Sequence, residues 1–316
     1  MVFLVTGGTG FIGRWVVKKL LDCDKEVVVI DNLINSNKKN LEEFKNNPNL
    51  KEIIIGDIRD RELIEKIFIK YDFSICIHLA AQINVQESLV YPERAFENNV
   101  IGTYNILEAA LKINTKVVLL GTCMVYNLAD LDKAISEEHE VKPTSPYAGS
   151  KIAAEELAMS YYHGLGLPVV ILRPFNTYGP FQKTNMDGGV ISIFISRKIK
   201  GENLKIFGDG TQTRDLLYVE DCAEFIVLAA ESEKALGQII NAGTGSDISI
   251  NDLAFLIVGD LNRIKHVEHH HPQSEIMKLV CNNSKAKNLL NWVPKTSLEK
   301  GIKKLEIWLK ECEMKN

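Results

Sequence analysis

The chain has 316 residues, of which 46% are hydrophobic and 25% are charged, and its formal net charge is −4. This composition is typical of a soluble globular protein with one large or two modest domains. It contains no basic stretch dense enough to predict nucleic-acid binding and no apolar run long enough to span a bilayer. The amino terminus enters an apolar run without a charged leader, so we expect a cytoplasmic protein with neither membrane nor nucleic acid as a partner.

Neither a metal site nor a disulfide framework is indicated. The six cysteines are scattered without a Cys-x-x-Cys pair, so we expect them to be reduced and mostly buried. Three consecutive histidines, His269 to His271, resemble a metal cluster. Consecutive residues on a strand point to alternate faces, however, so they cannot all reach one ion, and we expect no metal.

The first motif is a glycine-rich turn after the apolar run 2–5. Gly7, Gly10 and Gly13 are three residues apart, and a predicted helix over 11–21 begins directly after Gly10. In such a strand-turn-helix unit the first glycine takes the tight turn and the second lets the backbone approach a pyrophosphate. The third lets the helix pack on the strand. The spacing therefore predicts a dinucleotide site.

The second predicted strand, 27–30, ends on Asp31. A carboxylate at this position can accept both hydroxyls of an adenosine ribose, whereas the 2′-phosphate of NADP would meet a like charge. We therefore predict that the cofactor is NAD.

Strands and helices alternate in the first half of the chain. Hydrophobic periodicity predicts strands near 2–6, 27–31, 52–56, 74–79, 116–121 and 168–172, and helices near 11–21, 38–46, 60–70, 92–113 and 146–165. This alternation indicates an α/β fold, a Rossmann-type doubly wound parallel sheet.

After Pro174 the pattern changes to short strands, turns and helices. We predict a dinucleotide-binding domain over 1–174 and a smaller α/β substrate-binding domain over 175–316, with a cleft between them. The segment 215–243 is expected to pack back on the first domain.

The candidate catalytic residues are Thr122, Tyr147 and Lys151. Ser145 and Pro146 are typical of a helix start, so Tyr147 and Lys151 lie one turn apart on one helix face. A lysine there, together with a cationic nicotinamide ring, would lower the pKa of the phenol and make it a base near neutral pH. Thr122 follows a predicted strand at the edge where ligands of such sheets bind. An ordinary amphipathic helix would also place a Tyr and a Lys four apart, and the preceding nucleotide motif is what favours catalysis.

At this point the chain resembles the extended short-chain dehydrogenases/reductases that act on nucleotide sugars. The resemblance covers nearly the whole chain and rests on ordered matches: TGGTGFIG (6–13), DN (31–32), GDIRD (56–60), HLAAQ (78–82), NNVxGT (98–103), YAGSK (147–151), RPFNxYGP (173–180) and RDxxYVED (214–221).

The resemblance implies roles for particular residues. Cofactor contacts are implied for Gly7, Gly10, Phe11, Ile12, Gly13, Asp31, Asn32, Asp57, Ile58, Leu79, Ala80, Ala81, Asn99, Tyr147 and Lys151. Contacts with a sugar nucleotide are implied for Gln82, Asn176, Val190, Lys205, Phe207, Arg214, His271 and Glu275. A guanidinium suits a diphosphate and an aromatic ring suits a base, although Arg214 and Asp215 could also form a surface ion pair.

The shared opening step of this family takes a hydride from sugar C4 to NAD. A 4-epimerase then returns the hydride to the other face of C4, while a 4,6-dehydratase also needs an acid and a base to expel water across C5 and C6. The familiar dehydratases carry Asp-Glu after the threonine, whereas this chain has Cys123 and Met124, a departure that favours an epimerase.

Longer stretches nevertheless resemble a branch that dehydrates nucleotide-linked N-acetylglucosamine: 122–126, 175–184 and 188–194. On that reading we expect a 4,6-dehydratase acting on UDP- or GDP-N-acetylglucosamine, with a 4-epimerase as the alternative. Cys123 could then act as an acid or base or be a small buried filler, and Lys183 and Asp187 are further candidates. A non-catalytic NAD-binding sensor is a remote alternative.

The helices near 92–113 and 146–165 carry more apolar positions than one face on the sheet would bury. In the family these helices form a four-helix contact, so we expect a homodimer.

Overall fold

The computed structural model describes residues 1–127, 133–184, 189–268 and 277–314. Its strands are β1 (Val2–Thr6), β2 (Glu26–Asp31), β3 (Leu50–Ile55), β4 (Ile75–His78), β5 (Lys116–Leu120), β6 (Val169–Pro174), β7 (Asn176–Tyr178), β8 (Leu204–Phe207), β9 (Thr213–Arg214), β10 (Leu216–Tyr218), β11 (Ile239–Ala242), β12 (Ile248–Ser249), β13 (Ile264–Val267) and β14 (Lys278–Leu279).

The α-helices are α1 (Phe11–Asp22), α2 (Arg61–Tyr71), α3 (Val85–Val90), α4 (Pro92–Phe96), α5 (Gly102–Ile113), α6 (Pro146–Leu165), α7 (Val190–Ile199), α8 (Val219–Glu231), α9 (Ile250–Val258), α10 (Ser284–Leu290) and α11 (Leu298–Met314). None of the helices in the described ranges is both long enough and apolar enough to cross a membrane.

Seven parallel strands form the main sheet, in the order β11-β6-β5-β4-β1-β2-β3. The chain winds outward in one direction from β1 and then in the other from β4, so the strand order reverses between these two strands. A crevice opens at the carboxyl ends of the strands at such a reversal. The predicted Rossmann-type α/β fold is confirmed.

Alternating side chains of the strands fill two cores, one on each face of the sheet. On one face, residues such as Phe3 and Val5 of β1 pack against α1 and α8. On the other face, Leu4 of the same strand belongs to a cluster with residues of α2, α5 and α6. Since both faces are covered, the strands are nearly continuous apolar runs, and polar chemistry is confined to their ends.

Two predicted helices differ from the structure. Residues Lys38–Phe44 form a 3₁₀ helix in which Leu41 is the one buried residue, too little apolar contact to support a longer α-helix. The predicted helix over 92–113 is interrupted by a π-helical turn at Glu97–Ile101. This turn places Asn99 in the interior, where its side chain makes buried hydrogen bonds, and such turns often occur at functional sites.

The second half of the chain builds a separate core and then returns to the main sheet. Helices α7, α9 and α11 share a cluster of buried residues with β8 and β10. The chain comes back through α8, which packs against α1, and β11, which pairs with β6 in parallel. The two halves of the fold therefore share one sheet, which fixes the substrate-side elements relative to the strand ends.

Phe225 on α8 tests the packing of this returning segment. Its ring is buried and lies 5.0 Å from the ring of Trp292. Replacing it by alanine leaves a cavity, and we expect Phe225→Ala to lower the free energy of unfolding by about 3–5 kcal/mol. Denaturant unfolding measures this. The matched control is Phe255→Ala on α9, whose side chain is 50% exposed and which should change stability by less than about 0.5 kcal/mol. Equal losses in the two variants would contradict this packing.

Candidate active site

The glycine-rich turn between β1 and α1 has the shape that a pyrophosphate requires. Gly7 has a φ of +67°, a conformation that favours glycine. A Cβ on Gly13 would overlap the carbonyl oxygen of Gly7, so the helix can approach the turn this closely only with glycine at position 13. A Cβ on Gly10 would meet only that same oxygen, at 3.1 Å, and α1 begins there without a side-chain cap. The first N–H groups of α1 are therefore open to an anion, and these residues fit NAD.

Asp31 ends β2 beside this turn. Its carboxylate accepts hydrogen bonds from the N–H of Thr9 at 3.1 Å, the N–H of Leu33 at 2.9 Å and the hydroxyl of Ser36 at 2.8 Å. These donors hold the carboxylate in place at the crevice. A carboxylate has about four acceptor sites, so with three donors in place Asp31 keeps about one site for a ribose hydroxyl.

Asn32 and Asp57 lie together at the ends of β2 and β3. The Asn32 amide donates to Asp57 at 3.0 Å, and the Arg59 guanidinium donates to the same carboxylate. The Arg59 hydrogen bonds, opposed in part by burial, lower the pKa of Asp57 to about 2. Ile58 is buried next to Gly102 at the start of α5. The pair Asn32 and Asp57 thus forms a polar edge beside an apolar residue, which suits an adenosine.

A buried histidine fixes the ends of β1 and β4. The Thr6 hydroxyl accepts the N–H groups of Leu79 and Ala80 at 3.1 and 3.0 Å, so it must donate to Nδ1 of His78, at 2.7 Å. The Nε2–H of His78 then donates to the hydroxyl of Thr103 at 3.1 Å. Burial, assisted by the charge of Lys151, lowers the pKa of His78 to about 3. The ring is therefore neutral, and through Thr6 it fixes the main chain of Leu79 and Ala80.

One cavity of about 610 Å³ lies at the strand ends between the two halves of the chain. Its wall brings together most of the predicted site residues: Phe11, Ile12, Leu79, Ala81, Thr122, Cys123, Met124, Tyr147, Lys151, Asn176, Val190, Lys205, Phe207 and Arg214. The structure therefore places the predicted base, the predicted nucleotide-contacting residues and part of the cofactor path on one surface.

Other predicted residues lie behind this wall or outside the described ranges. Asn99 binds the main chain of Gln82 through both its amide oxygen and its amide nitrogen, at 2.8 and 3.0 Å. The Gln82 side chain donates to the carbonyl of Asn84 at 2.8 Å, so its nitrogen is engaged within the protein. Both residues support the wall of the cavity. His271, Glu275 and Asp187, with the His269 to His271 run, fall outside the described residues.

Helix α6 presents Tyr147 and Lys151 to the cavity. The helix begins as predicted, with the Ser145 hydroxyl accepting the N–H of Ala148 at 3.2 Å. The N–H of Tyr147 donates to the hydroxyl of Ser88 at 3.1 Å, which ties the first turn to α3. Thr122 follows β5, and its side chain is close enough to the Tyr147 phenol to lower the pKa of that phenol. A phenol, a hydroxyl and an ammonium therefore line the wall of one cavity.

Burial is the largest influence on the pKa values of both Tyr147 and Lys151. Burial raises the pKa of Tyr147 to about 12, although the nearby Thr122 side chain acts to lower it. Burial also lowers the pKa of Lys151 to about 8, while the nearby Glu155 carboxylate raises it. Without the cofactor, the Tyr147 pKa is therefore raised by desolvation, whereas the predicted lowering was for a phenol beside both Lys151 and the nicotinamide ring. A cationic nicotinamide beside the phenol would act in the opposite direction.

Cys123 and Met124 occupy the positions after Thr122. The Cys123 side chain is only 2% exposed, although it contributes to the cavity wall. Burial raises the pKa of this thiol to about 12, with Arg214 opposing and Asp215 adding to the shift. The thiol is therefore protonated near neutral pH and cannot act as a base there.

Asp215 holds the segment that carries Arg214. It is buried, and its carboxylate accepts the N–H and the hydroxyl of Thr244 at 2.8 and 2.7 Å, the N–H of Gly245 at 2.9 Å and the N–H of Cys281 at 3.1 Å. The alternative of a surface ion pair with Arg214 is therefore wrong. The main-chain oxygen of Asp215 also accepts from the Asn176 amide at 3.3 Å, so the two predicted substrate contacts are linked.

The loop after β7 crosses from the substrate side to the cofactor side. Its Pro180 oxygen accepts from the Trp15 indole at 3.2 Å, and the Phe181 ring lies 4.0 Å from the Arg14 guanidinium. Lys183 donates to the Asn35 side chain at 3.0 Å, close to Asp31. Lys183, a predicted candidate acid or base, is thus engaged by Asn35, four residues after Asp31.

Glu155 and Arg173 were not among the residues predicted from the sequence. The two form a buried ion pair next to Lys151. The spacing of Tyr147, Lys151 and Glu155 at four-residue intervals was a signal for Glu155. Arg173 lay within a quoted motif, but no local pattern connects it with α6.

The chain is similar to known proteins over nearly its whole length. Residues 4–305 match the sequence model of the family described as GDP-mannose 4,6 dehydratase. The putative UDP-glucose 4-epimerase of Methanocaldococcus jannaschii is 37% identical over 312 residues, covering 98% of each chain. The structure of Pal from Bacillus thuringiensis is 57% identical with a TM-score of 0.96, covering 99% of this chain and 100% of that one. The UDP-glucose 4-epimerase of Thermus thermophilus, solved with NAD, is 31% identical with a TM-score of 0.89, covering 98% of this chain and 99% of that one.

The reactivity of Cys123 tests its protonation. With a pKa of about 12, a fraction of about 10⁻⁴ of this thiol is ionised at pH 8, so we expect very slow alkylation by iodoacetamide. Its rate should rise roughly tenfold per pH unit. Peptide mapping by mass spectrometry gives the rate for each cysteine, and the exposed Cys23 is the internal reference. Alkylation of Cys123 at pH 8 as fast as that of Cys23 would contradict a protonated thiol.

Proposed function

The chain belongs to the NAD-dependent epimerase/dehydratase family of extended short-chain dehydrogenases/reductases and is an NAD-dependent enzyme, and we propose that it oxidises C4 of a nucleotide-diphosphate sugar and then reduces the product in the same site. NAD supplies the acceptor for the C4 hydride and gives the hydride back, so it is not consumed. The meeting of Tyr147, Thr122 and Lys151 on the cavity wall is the observation that carries this proposal.

Each of these three residues has a distinct task. Tyr147 removes the proton of the C4 hydroxyl, for which its phenol must be ionised. The Lys151 ammonium stabilises the phenolate by its charge. Thr122 holds the C4 oxygen by a hydrogen bond as the hydroxyl becomes a carbonyl. The burial of all three excludes water, which strengthens these interactions.

The far end of the cavity suits the nucleotide. Arg214 would bind the diphosphate, because a guanidinium can contact phosphate oxygens bidentately. Phe207 and Lys205 on β8, with Val190 at the start of α7, line the same wall and would contact the base, and Asn176 would contact the sugar diphosphate. The names of relatives such as the UDP-glucose 4-epimerases support a UDP-sugar.

Of the reactions that could follow oxidation at C4, 4-epimerisation is the one that the residues of the cavity support best. It returns the hydride to the other face of C4 and needs no acid or base beyond Tyr147. Among the described residues that line the cavity there is neither a carboxylate nor a histidine. The Cys123 thiol is protonated and Met124 has no proton to exchange. We therefore propose a nucleotide-sugar 4-epimerase.

A 4,6-dehydratase acting on UDP- or GDP-N-acetylglucosamine is the second candidate. The Cys123 thiol is in the cavity wall and could donate a proton, and Met124 leaves that part of the wall apolar. The resemblance of residues 122–126, 175–184 and 188–194 to the dehydratase branch also favours it. This reaction still needs a base, for which the sequence offers Asp187.

We also propose a homodimer through α4, α5 and α6. Phe96, Ile101 and Leu165 on or between these helices are exposed apolar residues. A second copy would bury them, as the four-helix contact of the family implies.

Product analysis tests the reaction. The purified protein is incubated with NAD and with UDP-glucose, UDP-N-acetylglucosamine or GDP-N-acetylglucosamine, and the products are examined by mass spectrometry and NMR. An unchanged mass with an inverted C4 establishes the epimerase. Loss of one water without net reduction of NAD establishes the dehydratase and overturns 4-epimerisation. Absence of any change in all three sugars would contradict the proposed substrate class.

Replacing the phenol separates catalysis from binding. We expect Tyr147→Phe to lower turnover by about 10²–10⁴-fold, because it removes the proton acceptor. NAD affinity, measured by calorimetry, should change less than about twofold because the glycine-rich turn and Asp31 are untouched. Tyr91→Phe, at an exposed tyrosine, is the matched control and should keep full turnover. Undiminished turnover in Tyr147→Phe would refute the role of Tyr147 as the base.

A further inference from the structure

Helix α6 carries a third ionisable residue on the face that holds Tyr147 and Lys151. Glu155 is one turn beyond Lys151 and only 1% exposed. One of its oxygens, Oε2, accepts hydrogen bonds from Nε and Nη2 of Arg173 at 2.9 and 2.6 Å. Arg173 lies on β6 and is 2% exposed. An ion pair so deeply buried is costly to form, so its presence next to a catalytic lysine calls for a reason.

The other oxygen of Glu155, Oε1, faces the carboxyl end of β5. Oε1 is buried and has no hydrogen-bond partner among the described residues. A Cβ on Gly121 would overlap this oxygen, and Gly121 directly precedes Thr122. The carboxylate therefore lies between α6 and the end of β5, next to the residue that precedes Thr122.

We propose that Glu155 and Arg173 are positioning residues that keep Lys151 protonated: the Glu155 carboxylate supplies the negative charge that the buried ammonium needs, and Arg173 keeps that carboxylate ionised and in place. This inference rests on the proposed roles of Tyr147 and Lys151.

The electrostatics of the site support this assignment. Burial lowers the pKa of Lys151 to about 8, and Glu155 is the group that opposes this shift. Without Glu155 the lysine would lose its proton near neutral pH and could no longer stabilise a phenolate. Burial raises the pKa of Glu155 as well, and the Arg173 guanidinium opposes that shift. Each of the two buried charges thus favours the charged form of the other, and Glu155 favours that of the ammonium.

Among the described residues, few other charged side chains act on Lys151 and Glu155. On β4, His78 is close enough to be affected by Lys151, but it is neutral because its pKa lies at about 3. On α6 itself, Glu156 acts to raise the pKa of Glu155, and Glu155 acts to raise that of Tyr147. Arg173 is held in place by the Tyr126 ring, 4.8 Å from its guanidinium, and the Tyr126 hydroxyl donates to Asn241 at 2.7 Å. Glu155 is therefore the negative charge most closely associated with Lys151.

Direct titration of Lys151 tests the proposal. In protein labelled with ¹³C-lysine, the Lys151 ¹³Cε signal is assigned by its loss in Lys151→Arg and followed with pH. We expect a pKa near 8, and a decrease of about one unit or more in Glu155→Gln. Glu156→Gln removes a neighbouring but exposed carboxylate and should leave the Lys151 pKa unchanged. An unchanged Lys151 pKa in Glu155→Gln would overturn the proposal.

A second variant guards against loss of folding, because Glu155→Gln leaves the Arg173 charge buried without its partner. Glu155→Gln combined with Arg173→Met removes both charges and should also lower the Lys151 pKa. A pair with a purely structural role would change the unfolding midpoint and leave the pKa in place. The titration needs no substrate, so its outcome is separate from that of the product analysis. Where turnover is found, its pH optimum should shift downward in Glu155→Gln and not in Glu156→Gln.

Discussion

The desolvation of a phenol and an ammonium one helical turn apart is the constraint on which the proposed chemistry depends. Tyr147 and Lys151 are both buried, so the neutral form of each is favoured: the pKa of Tyr147 rises to about 12 and that of Lys151 falls to about 8. Catalysis needs the opposite, an ionised phenol beside a protonated amine. The surroundings must therefore supply charge. In this proposal Glu155 supplies a negative charge that favours the protonated lysine, and NAD supplies a positive charge that favours the ionised phenol.

The architecture explains how such a site can be built. Both faces of the main sheet are covered by helices, so polar groups collect at the strand ends. The ends of β1, β2, β4 and β5 carry the glycine-rich turn, Asp31, His78 and Thr122 at one edge. Since β11 joins the same sheet, the elements that carry Asn176 and Arg214 are held against that edge. One cavity could therefore hold both the reactive end of a cofactor and a long substrate with its nucleotide.

Local patterns were sufficient to predict much of the fold and the site. The roles of Gly7, Gly13 and Asp31 follow from the residues next to them in the sequence. The helix from Pro146 to Leu165 begins after a capping Ser145 and ends at Gly166, which has a left-handed conformation. Other features depend on contacts distant in the sequence. The π-helical turn around Asn99 is tied to Gln82 and Ser150, and Arg173 meets Glu155 only because β6 packs beneath α6. The ionisation of Tyr147 depends on burial, which the spacing of Tyr and Lys does not reveal.

The central proposal is that the sugar is oxidised at C4 and then reduced within the same site. Deuterium at C4 of the sugar tests this most directly. A UDP-sugar carrying deuterium at C4 is incubated with the enzyme and NAD in ordinary water, and the product is examined by NMR. We expect the deuterium to be retained within the sugar, at the inverted C4 for an epimerase, whereas a dehydratase would carry it to C6. Conversion of the sugar with the deuterium lost to solvent would contradict hydride transfer from C4, and with it the assignment of Tyr147 as the base that initiates the reaction.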